Sequence, residues 1–185
     1  MNSLSGATIK LSEVMFNSLD YIELYCVNDG NGGAGVNIGG AQLSDFDGFS
    51  VGVAKQFANG TVLRSGEYLL CLVGFTNADE LESIGGTVFT YWSGSGLSSG
   101  DDEVVLRSFS GAYLDVVGWS DGTPTTESND LKYLGGIGWV TNGGYLNGTV
   151  NSTAVQIGIS IGRLPPPFVD TDSKADWGIQ TTSTP

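Results

Sequence analysis

The sequence predicts an all-β fold, an antiparallel β-sandwich, and three observations predict it. Apolar and polar residues alternate at a period of two through Ile9–Asn17 and Asp20–Tyr25, as they must in half-buried strands. Turn-forming residues recur at short intervals along a chain of 185 residues that holds 29 Gly, which suits short strands joined by tight turns. No helical pattern is long enough for a crossover helix, so antiparallel sheets are favoured over βαβ units.

The elements follow in order. Ile9 to Asn17 and Asp20 to Tyr25 are the first two strands, separated by the turn chemistry of Asn17-Ser18-Leu19-Asp20. Asn28 to Gly35 is a loop of residues that tolerate positive φ. Val36 to Leu43 and Phe49 to Val53, on either side of a Ser44–Gly48 turn, read as the third and fourth strands. Asn59-Gly60 and Arg64-Ser65-Gly66 are turns that lead into the buried run Tyr68–Val73. Asn77 to Ser83 is the one candidate helical turn, with Asp79, Glu80 and Glu82 near its start. Thr87–Trp92 is a strand by its branched and aromatic content, and Leu97–Leu106 with Tyr113–Trp119 forms a hairpin about Ser110-Gly111.

From Ser120 to Thr153 the texture changes to polar residues, glycines and Pro124 around a short apolar patch, Ile137–Val140. This reads as a long insertion, and long loops on a rigid scaffold are commonly functional. It contains the sequons Asn147-Gly148-Thr149 and Asn151-Ser152-Thr153, and a third lies at Asn59-Gly60-Thr61. Chance accounts for such sequons in a chain this rich in Asn, Gly, Ser and Thr.

Length fits one domain over 7–185, with Met1 to Gly6 reading as a start and short leader joined to a mature domain. Twenty acidic residues against 7 basic ones, with no His, give a formal net charge of -13. Phosphate backbones are repelled by such a surface, so nucleic acid is an unsuitable partner. No apolar run approaches membrane-spanning length, so membrane insertion is not expected, and the chain is read as a monomer. Cys26 and Cys71 each lie in an apolar strand; the reading favours two reduced, buried thiols over a disulfide.

Four segments resemble a lamin tail domain of the prokaryotic type. They are Ser12–Asn17; Tyr21–Tyr25; the pair Leu97–Leu106 and Leu114–Trp119; and Ile159–Arg163 followed by Asp170–Trp177 and a Thr-rich exit, Thr181–Pro185. The resemblance implies an immunoglobulin-like sandwich. It further implies a non-catalytic accessory or interaction module of a secreted or surface protein, extracellular or in the cell envelope. Cys26, Ser65-Gly66 and the long insertion depart from the family pattern at turns and strand ends.

Candidate chemistry is sparse. Without His the usual serine triad is excluded, no G-x-S-x-G or S-x-x-K motif occurs, and Gly30–Gly35 lacks the Lys of a phosphate loop. Asp170, Asp172 and Asp176, with the Thr171 carbonyl, form an oxygen-rich loop suited to calcium, although not an EF-hand. Asp45, Asp47, Asp101, Asp102 and Glu103 are weaker metal candidates that Asx-turns explain. Glu23, on the polar face of its strand near other acidic turns, is the first acidic residue to watch, and the plainer reading is an outward glutamate paired across the sheet with Arg or Lys. Among the aromatics, Trp119 and Trp177 are expected in the core, whereas Tyr133, Trp139 and Tyr145 in the insertion are the candidates for stacking on a glycan or docking a protein. The function expected is thus adhesion to protein or glycan through the insertion. The alternative is a calcium-stabilised spacer or anchor within a larger secreted enzyme, and a carboxylate hydrolase ranks last because nothing places two carboxylates across a cleft.

Overall fold

The computed structural model describes residues 4, 6–16, 20–45, 55–74, 82–84, 87–93, 96–98, 102–120, 150–151, 159–164, 170–171 and 173–180. These residues build a β-sandwich. One sheet contains β1 (Thr8–Met15), β2 (Tyr21–Asn28), β7 (Tyr68–Val73), β8 (Glu82–Ile84), β9 (Thr87–Trp92), β13 (Ser160–Arg163) and β14 (Trp177–Gln180). Its strand order is β14-β13-β1-β2-β7-β9-β8. The second sheet contains β4 (Gln42–Asp45), β5 (Lys55–Gln56), β10 (Asp102–Arg107), β11 (Tyr113–Ser120) and β12 (Val150–Asn151), in the order β12-β11-β10-β4-β5. β3 (Val36–Asn37) and β6 (Val62–Leu63) pair as a small separate ribbon. No helix among the described residues is long and apolar enough to cross a membrane.

Period-two patterning decides which side chains meet. In β2, Ile22, Leu24 and Cys26 are fully buried and face the sandwich interior. Their partners are Val14, Leu11 and Ile9 on β1 and, for Ile22 and Leu24, Cys71 and Leu69 on β7. The second sheet supplies Leu43, Val104, Leu106, Val117 and Trp119 to the core. Phe16 and Trp119 join the two sheets as a parallel stack, with ring centroids 4.8 Å apart and planes 5° from parallel. Both cysteines are buried and unbridged, and burial pushes their thiols up to about 11 for Cys26 and about 12 for Cys71. They are inert core residues.

The hairpin of β10 and β11 forms with Val104 opposite Val117. Three expectations need revision. The pairing is not wholly antiparallel, because β7 and β9 run parallel, as do β11 and β12; β8 lies at the sheet edge beyond β9. Glu82 and Ser83, expected in a helical turn, belong to the extended β8, while residues 77–81 lie outside the described residues. The expected strand Phe49–Val53 also lies outside them. Val36 to Leu43 is not one strand: the chain leaves the ribbon at Asn37 and enters the second sheet at Gln42. Glycine is required at that corner, since Gly40 has φ +88° and a Cβ on Gly39 would lie 2.9 Å from the Ala58 carbonyl oxygen.

Candidate functional site

Two polar clusters are built into the described part of the fold, and the base of the insertion is a third feature. The first cluster centres on Arg163, the last residue of β13, which is 3% exposed. A buried guanidinium must satisfy five donors in a fixed fork. Here Nη2 donates to both oxygens of Asp115 at 2.9 and 2.8 Å, and Nε donates to the Leu11 carbonyl at 3.0 Å. Nη1 reaches Asp170 at 3.3 Å and Asp176 at 3.5 Å. Asp115 also accepts the Leu11 backbone N–H at 2.8 Å. The group therefore clamps β1, β11 and β13 together across the sandwich. Burial pushes the Asp115 carboxyl up to about 6 against the pull of Arg163 and Lys10, so it is ionised at neutral pH. The guanidinium also lies 4.9 Å from the centre of the Trp177 ring.

Of the three aspartates proposed for calcium, Asp170 and Asp176 meet on this one guanidinium, and Asp172 lies outside the described residues. Lys10 forms an ion pair with Asp170. Asp176 is buried, accepts the Thr171 N–H at 2.8 Å and the Thr171 hydroxyl at 2.7 Å, and closes the capping box of the 3-10 turn Lys174–Asp176 with Ser173. Calcium needs roughly six to eight converging oxygens with free lone pairs. The cations facing Asp170 and Asp176 are instead the chain's own, and N–H and O–H groups fill Asp176. Among the described residues no group of three or more acidic or cysteine side chains is placed to hold a metal.

The second cluster corrects the expectation for Glu23. Its side chain is not on a solvated face, for Glu23 and its cross-strand partner Glu13 are each 1% exposed. A β-bulge at Ser12 brings this about. Leu11 pairs with Leu24 and Glu13 with Glu23, so Ser12 is the extra residue in β1. The inserted residue switches the inward positions from Ile9 and Leu11 to Val14, and turns Glu13 to the same side as Glu23. No Lys or Arg pairs with Glu23 among the described residues; its Oε1 accepts the Ser12 hydroxyl at 2.7 Å. Glu13 accepts the Tyr21 hydroxyl at 2.5 Å and the Ser160 hydroxyl.

The weaker candidates are structural where they are described. Asp102 is buried and accepts the Ser98 N–H at 2.7 Å, a bond to the backbone four residues earlier rather than the bond two residues ahead that an Asx-turn makes. Glu103 is buried, and Asp45 lies in β4. Asp47 and Asp101 lie outside the described residues.

Tyr133, Trp139 and Tyr145 also lie outside the described residues, but the base of the insertion does not. It leaves from the end of β11, where Trp119 is completely buried and donates its indole N–H to the Ser98 carbonyl at 2.8 Å. The chain returns as β12, with Val150 and Asn151 parallel to Trp119 and Ser120. Trp119 and Trp177 are in the core as expected. Sequence reasoning assigned no role to Arg163, Asp115 or Ser12. Arg163 at the end of the Ile159–Arg163 strand run is the residue that could have pointed to a buried ion pair, and the two consecutive polar residues Ser12-Glu13 between Leu11 and Val14 are the signal of the bulge that a reading of unbroken alternation through Ile9–Asn17 passes over. No protein-family model matches this chain, and no curated protein matches it.

Proposed function

We propose that this chain is an immunoglobulin-like sandwich of the lamin tail type that serves as a non-catalytic interaction module of a secreted or surface protein. It binds protein or glycan through the insertion at about 120–153. The observation that carries this reading is the anchoring of the insertion. Its outgoing end is fixed by the buried Trp119 and its return is hydrogen-bonded beside it at the sheet edge. A segment held at both ends on a rigid scaffold is presented at low entropic cost, which favours recognition. Aromatic rings at Tyr133, Trp139 and Tyr145 would supply the stacking surface.

The test is a triple variant, Tyr133→Ala/Trp139→Ala/Tyr145→Ala, compared with the natural chain on immobilised polysaccharides and surface-protein extracts. The variant is expected to lose at least tenfold in affinity for whatever the natural chain retains, with its melting temperature unchanged. Equal retention of both proteins would end this reading.

A calcium-stabilised spacer is the alternative that Asp170, Asp172 and Asp176 raise. Arg163 and Lys10 already pair with Asp170 and Asp176, and this supports an accessory module without structural calcium. A ligand that binds the native state raises stability by mass action. The melting temperature should therefore be the same in millimolar calcium as in excess chelator; a rise of several degrees with calcium would restore the spacer reading.

A further inference from the structure

The Glu13 and Glu23 pair has no part in the interaction surface, yet two buried carboxyl groups are costly to keep side by side. An isolated buried carboxylate neutralises rather than remain charged, and two that share a site cannot both ionise readily. The surrounding donors distinguish them. Glu13 receives two hydroxyl donors, Tyr21 from β2 and Ser160 from β13. Glu23 receives Ser12 on one oxygen, and its Oε2 is buried with no hydrogen-bond partner among the described residues. Of the two, Glu23 is thus the better place for a proton.

We propose that Glu23 is protonated in the folded protein at neutral pH, and that loss of this proton in alkaline solution loosens the seam between β1 and β2. The seam is a pH-sensitive latch whose protonated state is the closed one.

The groups facing the pair are consistent with this assignment. From β1 comes the Ser12 hydroxyl, from β2 Tyr21, from β7 Tyr68 and Leu70, and from β13 Ser160 and Gly162. Gln180 of β14 packs against Gly162, where an added Cβ would lie 2.6 Å from its Cγ. Tyr25 stacks obliquely on Tyr68 with centroids 4.8 Å apart. Burial and the neighbouring glutamates raise both Tyr21 and Tyr68, so these phenols keep their protons across the pH range in question. Burial first, then the Glu13 charge, pushes Glu23 from 4.5 up to about 8, against the Ser12 hydrogen bond.

The sign of the pH dependence follows from linkage. Between the unfolded value of 4.5 and the folded value of about 8, the folded chain holds a proton that the unfolded chain has lost. Stability from this group is therefore complete below about 4.5, declines as pH rises, and is gone above about 8.

Two measurements on the full chain test the latch. Carbon NMR of the glutamate side-chain carboxyls reports each titration in the natural protein, and Glu23 should titrate above pH 7. Thermal unfolding at pH 5 to 9 is compared for the natural chain and Glu23→Gln, in which the amide stands in for the neutral carboxyl. The melting temperature of the natural chain should fall by roughly 5–15 °C more than that of the variant across this range. A Glu23 titration near 4.5, or parallel melting curves for the two proteins, would overturn the proposal. The NMR result stands on its own if Glu23→Gln fails to fold.

Discussion

Replacing Arg163 by methionine should lower stability by roughly 3–5 kcal/mol. For a chain of this length that is a melting-temperature loss of about 6–20 °C. Arg163 is 3% exposed, and its guanidinium bonds Asp115 through both carboxylate oxygens. Methionine fills similar space but leaves Asp115 as a buried charge with its main counter-ion gone. The loss should grow as pH rises from 5 to 8, because Asp115 deprived of the guanidinium is held up by burial and must then ionise inside the core. The double variant Arg163→Met/Asp115→Leu removes both charges and should recover much of the stability, since replacing a buried ion pair by apolar groups is often close to neutral. Chemical denaturation of the two single variants and the double variant measures the coupling. If Arg163→Met is neutral alone, the clamp contributes nothing and Asp170 and Asp176 need another explanation.

The same cluster illustrates what was legible in the sequence. The strands β1, β2, β7 and β9 and the β10/β11 hairpin follow from alternation and turn chemistry, which are local properties, and they lie close to where those properties put them. Which strand lies beside which is not local. The parallel neighbours β7 and β9 have no short-range signature, because β8 and its connections separate them in sequence. The Asp170–Asp176 loop is recognisable as acidic, but Asp170 and Asp176 are paired with Lys10 and Arg163, and Lys10 lies 160 residues from Asp170. Glu23 shows a different limit. Alternation correctly places it on the side of β2 opposite Ile22 and Leu24, but cannot say whether that side meets water. Here Tyr21, Glu13 and Glu23 on that face are all buried. The bulge was open to inspection: Leu11 and Val14 are both fully buried, and their spacing of three breaks a period of two. The candidate binding aromatics were legible only as composition, because the segment that holds Tyr133, Trp139 and Tyr145 has no periodic pattern to fix it.

Trp119→Ala is the second substitution with a large expected effect, and it tests how the insertion is held. Trp119 is among the largest fully buried side chains, stacks on Phe16 across the two sheets, and donates to the Ser98 carbonyl. Removing the ring from such a position costs about 3–5 kcal/mol through lost burial and the cavity left behind. Trp119→Phe keeps a ring over Phe16 but leaves the Ser98 carbonyl without its indole donor, so a smaller loss of about 1–2 kcal/mol is expected. The two variants should also differ at a distance from the ring. Trp119 pairs through its backbone with Val150, so the alanine variant should speed hydrogen exchange at Val150 and Asn151 more than at Leu69 or Leu70 of β7. It should also weaken the adhesion proposed above, although Tyr133, Trp139 and Tyr145 are untouched. The phenylalanine variant should preserve both. If the alanine variant loses stability uniformly and binds as the natural chain does, Trp119 is a core residue without influence on the insertion. Recognition would then depend on the loop alone, and the anchored base would lose its place in the argument for function.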